Sequence, residues 1–281
     1  MKRLVALCAG FALAATASAG AETLDEAVER LAKAEQGVDD LAAKAKLDMT
    51  TGTAQVTMTI SGTTDTKMRR SEDHRLVRAA TEMTAKMDNP PQGMPGGGEM
   101  KMTQLMVVDG DFMWMEMKNP GLPQPMVMKM NIPDPSAAGS SLQGGAMGMG
   151  MGAASLVADL KGQFERMKTM SDLKLVGPGK VLDRPTTVVE ATYKPEVLEK
   201  LPKQALAKMP TRMVIDFDDA TGQVLALQGF SSDGTQRIAM ETTQIEVNQG
   251  IEKTLFQYSP PAGAKIRDLT QQGETPPKAP Q

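Results

Sequence analysis

The chain has 281 residues, a hydrophobic share of 41% and a formal net charge of −3. This length suffices for one large domain or two small ones, and the acidic balance argues against a nucleic-acid partner. Aromatic residues make up only 3% of the chain while methionines number 24, so aliphatic and thioether groups must fill the interior.

The first residues are typical of a secretory signal peptide. Lys2 and Arg3 give a positively charged start, and the apolar run 4–15 is too short to span a bilayer. Small residues follow, and we expect cleavage before Glu22, so that residues 1–21 are removed. Cleavage also removes Cys8, the single cysteine, and leaves a net charge of −5. No later segment is long and apolar enough to be a transmembrane helix, and we expect a soluble periplasmic protein.

A short amphipathic helix is predicted at the start of the mature chain. Thr23 is followed three residues later by Glu26, which is the spacing of a capping box. Apolar residues then recur at helical spacing until Gly37 ends the pattern.

Residues 41–131 alternate in polarity with a period of two, which predicts a run of antiparallel strands. In "VVDGDF", the pair Asp109 and Gly110 suits a type I′ turn between two strands. Residues 89–98 ("NPPQGMPGGG") are predicted to be a loop, and residues 136–155 form a low-complexity Gly/Ala/Ser/Met segment.

Two more helices and a second group of strands complete the predicted elements. The second of these helices covers residues 195–208, with Pro195 at its start and Pro202 as a kink. Residues 270–281 have the composition of a disordered tail. The first of these two helices presents one apolar stripe, which consists of Leu156, Leu160, Phe164 and Met167.

This order of elements predicts an α+β fold. An antiparallel sheet with one buried face needs apolar elements to lie against it. We therefore predict a curved sheet or open barrel with these helices packed against its concave side. No linker separates two self-sufficient halves, so residues 22–269 are predicted to form one domain.

Two stretches of the chain resemble a known family. In residues 213–269, "LFQY" leads into "PPAGAKIRDL", where a Pro-Pro-x-Gly turn precedes a last short strand. In "VVDGDFMWMEM", an Asp-Gly turn precedes a strand that contains a tryptophan. Together with the signal peptide and the capped helix, these features resemble the LolA/LolB-like superfamily of periplasmic lipoprotein carriers.

The resemblance implies a LolA-like fold: a strongly curved antiparallel sheet, an incomplete β-barrel, with helices covering its concave mouth. The cavity between this half-barrel and its helical lid holds acyl chains. We expect the lid to consist of residues 156–170, with the stripe of Leu156, Leu160, Phe164 and Met167, and of residues 195–208.

The resemblance also implies as partners an acylated lipoprotein or lipid, with transient contacts to membrane donor and acceptor proteins, and it requires no cofactor. Related domains instead act as sensors in envelope-stress regulators, which is one alternative. The family's arginine contact between barrel and lid has four candidates: Arg69, Arg70, Arg75 and Arg78.

Methionines occupy every second position in two predicted strands and recur at even spacing in a third, so each row lies on one face of its strand. Three interpretations are open: ordinary core packing, a deformable lining for acyl chains, or ligands for copper(I). We predict that these side chains line the lipid cavity, with Trp114, Glu116, Lys118 and Lys129 on the other face. The nine residues are Met100, Met102, Met106, Met113, Met115, Met117, Met126, Met128 and Met130.

A methionine-rich copper(I)-binding protein is the other alternative. Soft thioethers select such an ion, but residues two apart in one strand place their side chains about 7 Å apart. The better metal candidates from the sequence are therefore Met147, Met149 and Met151 in "MGMGMG", a segment that can wrap an ion.

Catalysis has little support in the sequence. The lone histidine, His74, lies in the charged run "KMRRSEDHR", and no "GxSxG" nucleophile motif is present. We expect a monomeric carrier that is not an enzyme and that moves acyl chains between membranes.

Overall fold

The computed structural model describes residues 22–52, 57–72, 75–88, 90, 98–119, 124–131, 159–199 and 210–270. The predicted signal peptide, His74, Leu156, the segment with Met147, Met149 and Met151, and residues 271–281 lie outside the described residues.

Helix α1 (Leu24–Gln36) opens the described chain and begins at the predicted capping box. The Thr23 Oγ1 accepts a hydrogen bond from the Glu26 amide, while the Glu26 carboxylate accepts one from the Thr23 amide at 2.8 Å. Both contacts satisfy backbone amides that a helix start leaves unpaired. The predicted helix start is confirmed.

Six strands follow α1, and their alternating polarity agrees with the predicted period of two. They are β1 (Asp40–Gly52), β2 (Thr57–Arg70), β3 (Arg75–Met87), β4 (Glu99–Val108), β5 (Phe112–Lys118) and β6 (Met126–Asn131).

In the second part of the chain, the described residues form two helices, six strands and a 3₁₀ helix. They are α2 (Leu160–Met170), β7 (Ser171–Val181), β8 (Arg184–Tyr193), α3 (Pro195–Leu198), β9 (Arg212–Asp218), β10 (Val224–Phe230), β11 (Gln236–Val247), the 3₁₀ helix (Lys253–Phe256) and β12 (Lys265–Asp268). The predicted helix 195–208 therefore begins where expected, and its residues 200–208 lie outside the described part of the chain.

All twelve strands belong to one sheet, in the order β12-β6-β5-β4-β3-β2-β1-β11-β10-β9-β8-β7. Each neighbouring pair is antiparallel except β12 and β6, which run parallel. The two end strands do not pair with each other, so the sheet stays open. The predicted incomplete barrel is confirmed.

The turn between β4 and β5 differs from the prediction by one residue. Val108 pairs with Met113, and the Asp109 amide donates to the Phe112 carbonyl, so Gly110 and Asp111 occupy the two central positions. Only Gly110 has a positive φ, at 110°. This pattern fits a type II′ turn, which needs glycine at its first central position, rather than the predicted type I′ turn.

Strand register assigns every side chain of the sheet to one of two faces. The inner face is the face on which α1 and α2 pack against β7–β10, where Phe164 and Leu31 are fully buried among Val189, Ile215 and Phe217. Continuous cross-strand pairs place the predicted methionine rows on this same inner face. The opposite face is called the outer face below.

The chain after β11 crosses the outer face at β3–β6. The Asp40 carboxylate accepts hydrogen bonds from the amides of Gln249 and Gly250, at 2.8 and 2.9 Å, which fixes the start of this crossing. Phe256, in the 3₁₀ helix beside β3, is 1% exposed, and β12 then pairs with β6. Residues 249–268 are called the C-terminal segment below.

Within the described residues, no helix has the length and apolar character needed to cross a membrane.

Candidate functional site

The methionine rows of β4, β5 and β6 meet side by side on the inner face. The register pairs Met115 with Met106 of β4 on one side and with Met128 of β6 on the other. Directly opposite residues in antiparallel strands have Cβ atoms about 4.5–5.5 Å apart. The three rows therefore form one contiguous thioether surface on the inner face.

The central part of this surface is called the methionine block, and Met115 lies at its centre. Its other members surround Met115 along the strand and across both strand neighbours: Met106, Met113, Met117, Met126, Met128 and Met130. Met106 and Met113 are 5% exposed, whereas the other five residues of the block are half-buried.

Met100 and Met102 extend the same face toward the start of β4. They pair with Ala85 and Met83 of β3, and both are half-buried. The Met100 Sδ accepts a hydrogen bond from Asn119 Nδ2 at 3.1 Å. All nine predicted methionines thus share the inner face, and seven of them keep part of their surface exposed.

The described helices pack on a different part of the inner face. Two apolar clusters contain methionines of the nine, one with Met106, Met113 and Met130 and one with Met102. Neither cluster includes a residue from a described helix. Because soluble proteins rarely leave a wide apolar area exposed, this face, which no described helix covers, is the candidate site.

The predicted lid residues occupy the helix-covered part. Leu160 and Phe164 are 1% and 0% exposed, and Met167 packs beside them, all against α1 and β7–β10. The Phe164 ring lies 5.0 Å from the ring of Phe217. The structure therefore brings the lid residues together, but it places them beside the methionine block rather than over it.

A buried ion pair joins the sheet to both helices. Glu35, near the end of α1, has a side chain only 6% exposed, and its carboxylate pairs with Arg75 of β3 at 2.7 Å. The same carboxylate accepts a hydrogen bond from the Leu160 amide, the first residue of α2, at 3.0 Å. A helix start leaves such amides without internal partners, and a carboxylate there also favours the helix dipole.

The four candidate arginines are separated by these contacts. Arg75 reaches α2 through Glu35, and Arg70 donates to the Glu35 carbonyl oxygen of α1 at 2.8 Å. Arg69 points the other way and donates to the Ile251 carbonyl oxygen in the C-terminal segment. Arg78 lies near Glu116 on the outer face. Arg75 is the arginine that meets the start of the predicted lid.

The C-terminal segment covers the outer face behind the methionine block. Trp114 and Lys129 lie there as predicted, with the Lys129 Nζ 5.3 Å from the Trp114 ring centroid. Tyr258 of the C-terminal segment stacks 5.3 Å from Trp114 and donates to the Glu116 carboxylate at 2.7 Å. Glu116 is 5% exposed and also pairs with Lys118 at 2.8 Å.

These contacts change the acidity of both groups. Burial raises the pKa of Glu116, but hydrogen bonds from Lys118 and Tyr258 outweigh burial and hold that pKa below its ordinary value. Burial, and then the hydrogen bond to Glu116, raise the pKa of Tyr258. The tyrosine therefore stays a donor and the glutamate a charged acceptor at neutral pH.

A groove of about 520 Å³ crosses β1–β4, and its side chains are mostly polar. Lys46, Glu82 and Lys101 line it together with Thr63 and Thr103, all from outer-face positions. Acyl chains gain nothing from such charged and hydroxyl groups, so this groove is a poorer lipid site than the methionine face.

Two contacts of the site were not found from sequence. The partner of Arg75 is a glutamate in the helix pattern of α1, and the partner of Glu116 is Tyr258, 142 residues away. A glutamate at a helix end and a tyrosine in "LFQY" both have the local sequence pattern of surface residues. Nothing in their local pattern indicates burial.

Comparison with protein families and curated proteins gives no match.

Comparison with solved structures gives matches over most of the chain. The MucA/MucB complex of Pseudomonas aeruginosa matches with a TM-score of 0.41 and 14% identity, over 83% of this chain and 60% of that one. LprF from Mycobacterium bovis matches with 0.35 and 10%, over 82% and 96%. A LolA superfamily protein from Nitrosomonas europaea matches with 0.25 and 9%, over 85% and 99%.

These matches include the superfamily that the sequence resemblance named. The chain spans 60% of the length of the chain matched in the MucA/MucB complex.

Proposed function

We propose that this protein binds acyl chains of a lipid or lipoprotein on the inner methionine face. The observation that carries the proposal is the set of half-buried thioethers on one continuous face, which no described helix covers. Each methylene that moves from water to such a face contributes about 0.8 kcal/mol.

Methionine suits a binding surface for acyl chains that vary in length and bend. Its side chain is unbranched, polarizable and flexible, so neighbouring thioethers can adjust to each chain. Leu227 and Met240, which pair across β10 and β11, continue the inner face toward the helices. The four nearest inner-face neighbours of Met115 are all methionines: Met113 and Met117 along β5, and Met106 and Met128 on the paired strands.

Release would involve the α1–α2 pair. Lys168 of α2 pairs with Asp25 of α1 at 3.0 Å, and Lys161 pairs with Glu29 at 2.7 Å. These exposed pairs contribute little stability individually, but they favour movement of both helices as one unit. We propose that the buried contact of Glu35 with Arg75 is the attachment of this unit to the sheet.

The proposed cargo and place follow from the same chemistry. A protein that carries an acyl chain between membranes needs a donor membrane and an acceptor membrane. We therefore propose transient contacts with membrane proteins in the periplasm. The steps are binding and release, and none of them makes or breaks a covalent bond. The envelope-stress sensor alternative stays a prediction from the sequence resemblance.

The test is uptake of a fluorescent fatty acid by a double variant, Met117→Asp with Met128→Asp. Both residues are half-buried on the inner face, so carboxylates there would meet the acyl chain. Since unpaired charges strongly disfavour an apolar ligand, we expect affinity to fall by at least about tenfold. Native mass spectrometry of the gently purified protein should also find co-purified acyl species.

The matched control is Thr59→Asp with Thr103→Asp, which adds the same two charges at exposed outer-face positions. The control should bind the fatty acid as the unsubstituted protein does. Equal uptake by a folded inner-face variant would show that the methionine face does not hold the ligand.

A further inference from the structure

We infer that Met106, Met115 and Met128 form a binding site for copper(I). The three residues are directly opposite one another on three neighbouring strands, so they form a single row across the sheet. This site is distinct from the sequence candidate in residues 147–151, and it does not depend on the proposed binding of acyl chains.

Methionines on neighbouring strands lie closer together than successive inner-face methionines of a single strand. Successive inner-face methionines of one strand lie about 7 Å apart, but directly opposite Cβ atoms are separated by about 4.5–5.5 Å. Each thioether sulfur is two bonds beyond its Cβ and can turn toward Met115. Three sulfurs can therefore approach one ion from three strands.

The row is unique among the described inner-face pairs of β2–β6. The other methionine pairs stop at two residues: Met58 with Met87, Met83 with Met102, Met113 with Met130 and Met117 with Met126. On β4, Met113 and Met117 face Val108 and Gln104. In the row of Met106, Met115 and Met128, by contrast, three methionines are consecutive.

The donor set selects a soft, monovalent ion. Thioethers prefer copper(I), whereas zinc, calcium and magnesium need thiolate, imidazole or oxygen ligands. Among the described residues, no group of three or more His, Cys, Asp or Glu could hold a metal ion. A single positive charge also costs less to bring onto an apolar face than a double charge.

The environment of the row allows an ion to enter and stay. Met115 and Met128 are half-buried and reachable from solvent, while Met106 is 5% exposed and is held by the cluster around Val77 and Val108. One buried ligand, Met106, and two solvent-accessible ligands, Met115 and Met128, suit reversible binding.

The experiment is a titration of copper(I) against a chromogenic chelator, without lipid present. All proteins carry Cys8→Ser, because a thiolate binds copper(I) and would mask the thioethers. We expect one bound copper(I) per chain. Met115→Leu keeps the apolar volume but removes the central sulfur, so affinity should fall by at least about tenfold.

The matched control is Met213→Leu, which replaces a 5% exposed methionine in the α1–α2 cluster and should leave copper(I) affinity unchanged. Circular dichroism and the urea midpoint establish that each variant is folded. A third protein carries leucine at positions 147, 149 and 151. The proposed site would be overturned if that protein lost copper(I) binding while Met115→Leu kept it. Failure of the Cys8→Ser protein to bind copper(I) would overturn it as well.

Discussion

At the scale of single residues, the most informative contact is between Glu116 and Tyr258. Their side chains come from β5 and the C-terminal segment, and the hydrogen bond of 2.7 Å lies directly behind the methionine block. A hydrogen bond to a charged acceptor contributes more than one between neutral groups. This contact therefore ties the C-terminal segment to the sheet.

The first prediction concerns Tyr258→Phe and its dependence on pH. The folded pKa of Glu116 lies below its ordinary value of 4.5, so between the two values the unfolded chain binds more protons. The stabilisation is present above that ordinary value and is lost as the pH falls through the folded pKa. Removing the Tyr258 hydroxyl should cost roughly 1.5–3 kcal/mol at pH 7 and less at pH 3.

Urea unfolding of both proteins at pH 7 and pH 3 measures this difference. The control is Tyr193→Phe, because only burial raises the pKa of Tyr193 and no carboxylate contributes. Its cost should be the same at both pH values. An equal loss at pH 7 and pH 3 in Tyr258→Phe would show that Glu116 does not act through this hydrogen bond.

Glu35 is the second residue whose role depends on its surroundings. Its carboxylate serves Arg75 and the first amide of α2, and its carbonyl oxygen accepts from Arg70. One residue thus connects β2, β3 and both helices. Its burial makes each of these contacts stronger than the exposed ion pairs between α1 and α2.

At the scale of elements, the turn between β9 and β10 sets the distance between sheet and helices. Gly222, with φ of 68°, faces α1, and a Cβ there would lie 2.7 Å from the Leu31 carbonyl oxygen and 3.4 Å from Leu160 Cδ2. Glycine is needed for both the conformation and the close approach.

The prediction for this element compares Gly222→Ala with Gly234→Ala. Gly234 has a similar φ of 80° but no atom within 4 Å of an added Cβ, so it carries only the backbone strain of roughly 1–2 kcal/mol. Gly222→Ala adds a steric overlap with α1, and overpacking costs about 1–3 kcal/mol more.

The difference between the two unfolding free energies, measured in urea, isolates the contact of the turn with α1. Hydrogen exchange should also show faster exchange in α1 and α2 for Gly222→Ala alone. Equal destabilisation by both substitutions would mean that the helices do not pack against this turn.

At the scale of the whole molecule, the inner face of the sheet is divided between two environments. The part formed by β7–β10 is filled by α1 and α2, with Leu31, Leu160 and Phe164 buried. The part formed by β4–β6 carries the methionine block and no described helix. One sheet thus combines a rigid core with an adjacent adaptable surface.

This division predicts a gradient of oxidation by hydrogen peroxide. Sulfoxide formation needs access to the sulfur, so Met115, Met117 and Met128 should oxidise faster than Met106 and Met113. Because sulfoxides are polar, oxidation should also reduce fatty-acid uptake.

Peptide mass spectrometry after a peroxide time course measures the rate for each methionine. Met213, which is 5% exposed under the helices, serves as a slow internal reference. Treatment with a methionine sulfoxide reductase should restore uptake. Equal rates at buried and half-buried methionines would contradict the division of the inner face.

The sequence by itself determined the local features. Side chains two apart in a strand must share a face, so the rows in "FMWMEM" and "MVMKM" were predictable before any neighbour was known. The capping box at Thr23 was predictable because it depends on a few adjacent residues, and Gly110 marked the turn between β4 and β5 but not its type. The order of the elements predicted an open sheet with helices on one side, and the family resemblance added the cavity for acyl chains.

The tertiary structure alone decided which rows meet and what covers them. Met106, Met115 and Met128 form one row only because β4, β5 and β6 pair in one register, and a shift by one residue would turn a row to the other face. The contacts of Glu35 with Leu160 and of Glu116 with Tyr258 join residues 125 and 142 positions apart. Such contacts depend on the packing of whole elements, which no local pattern encodes.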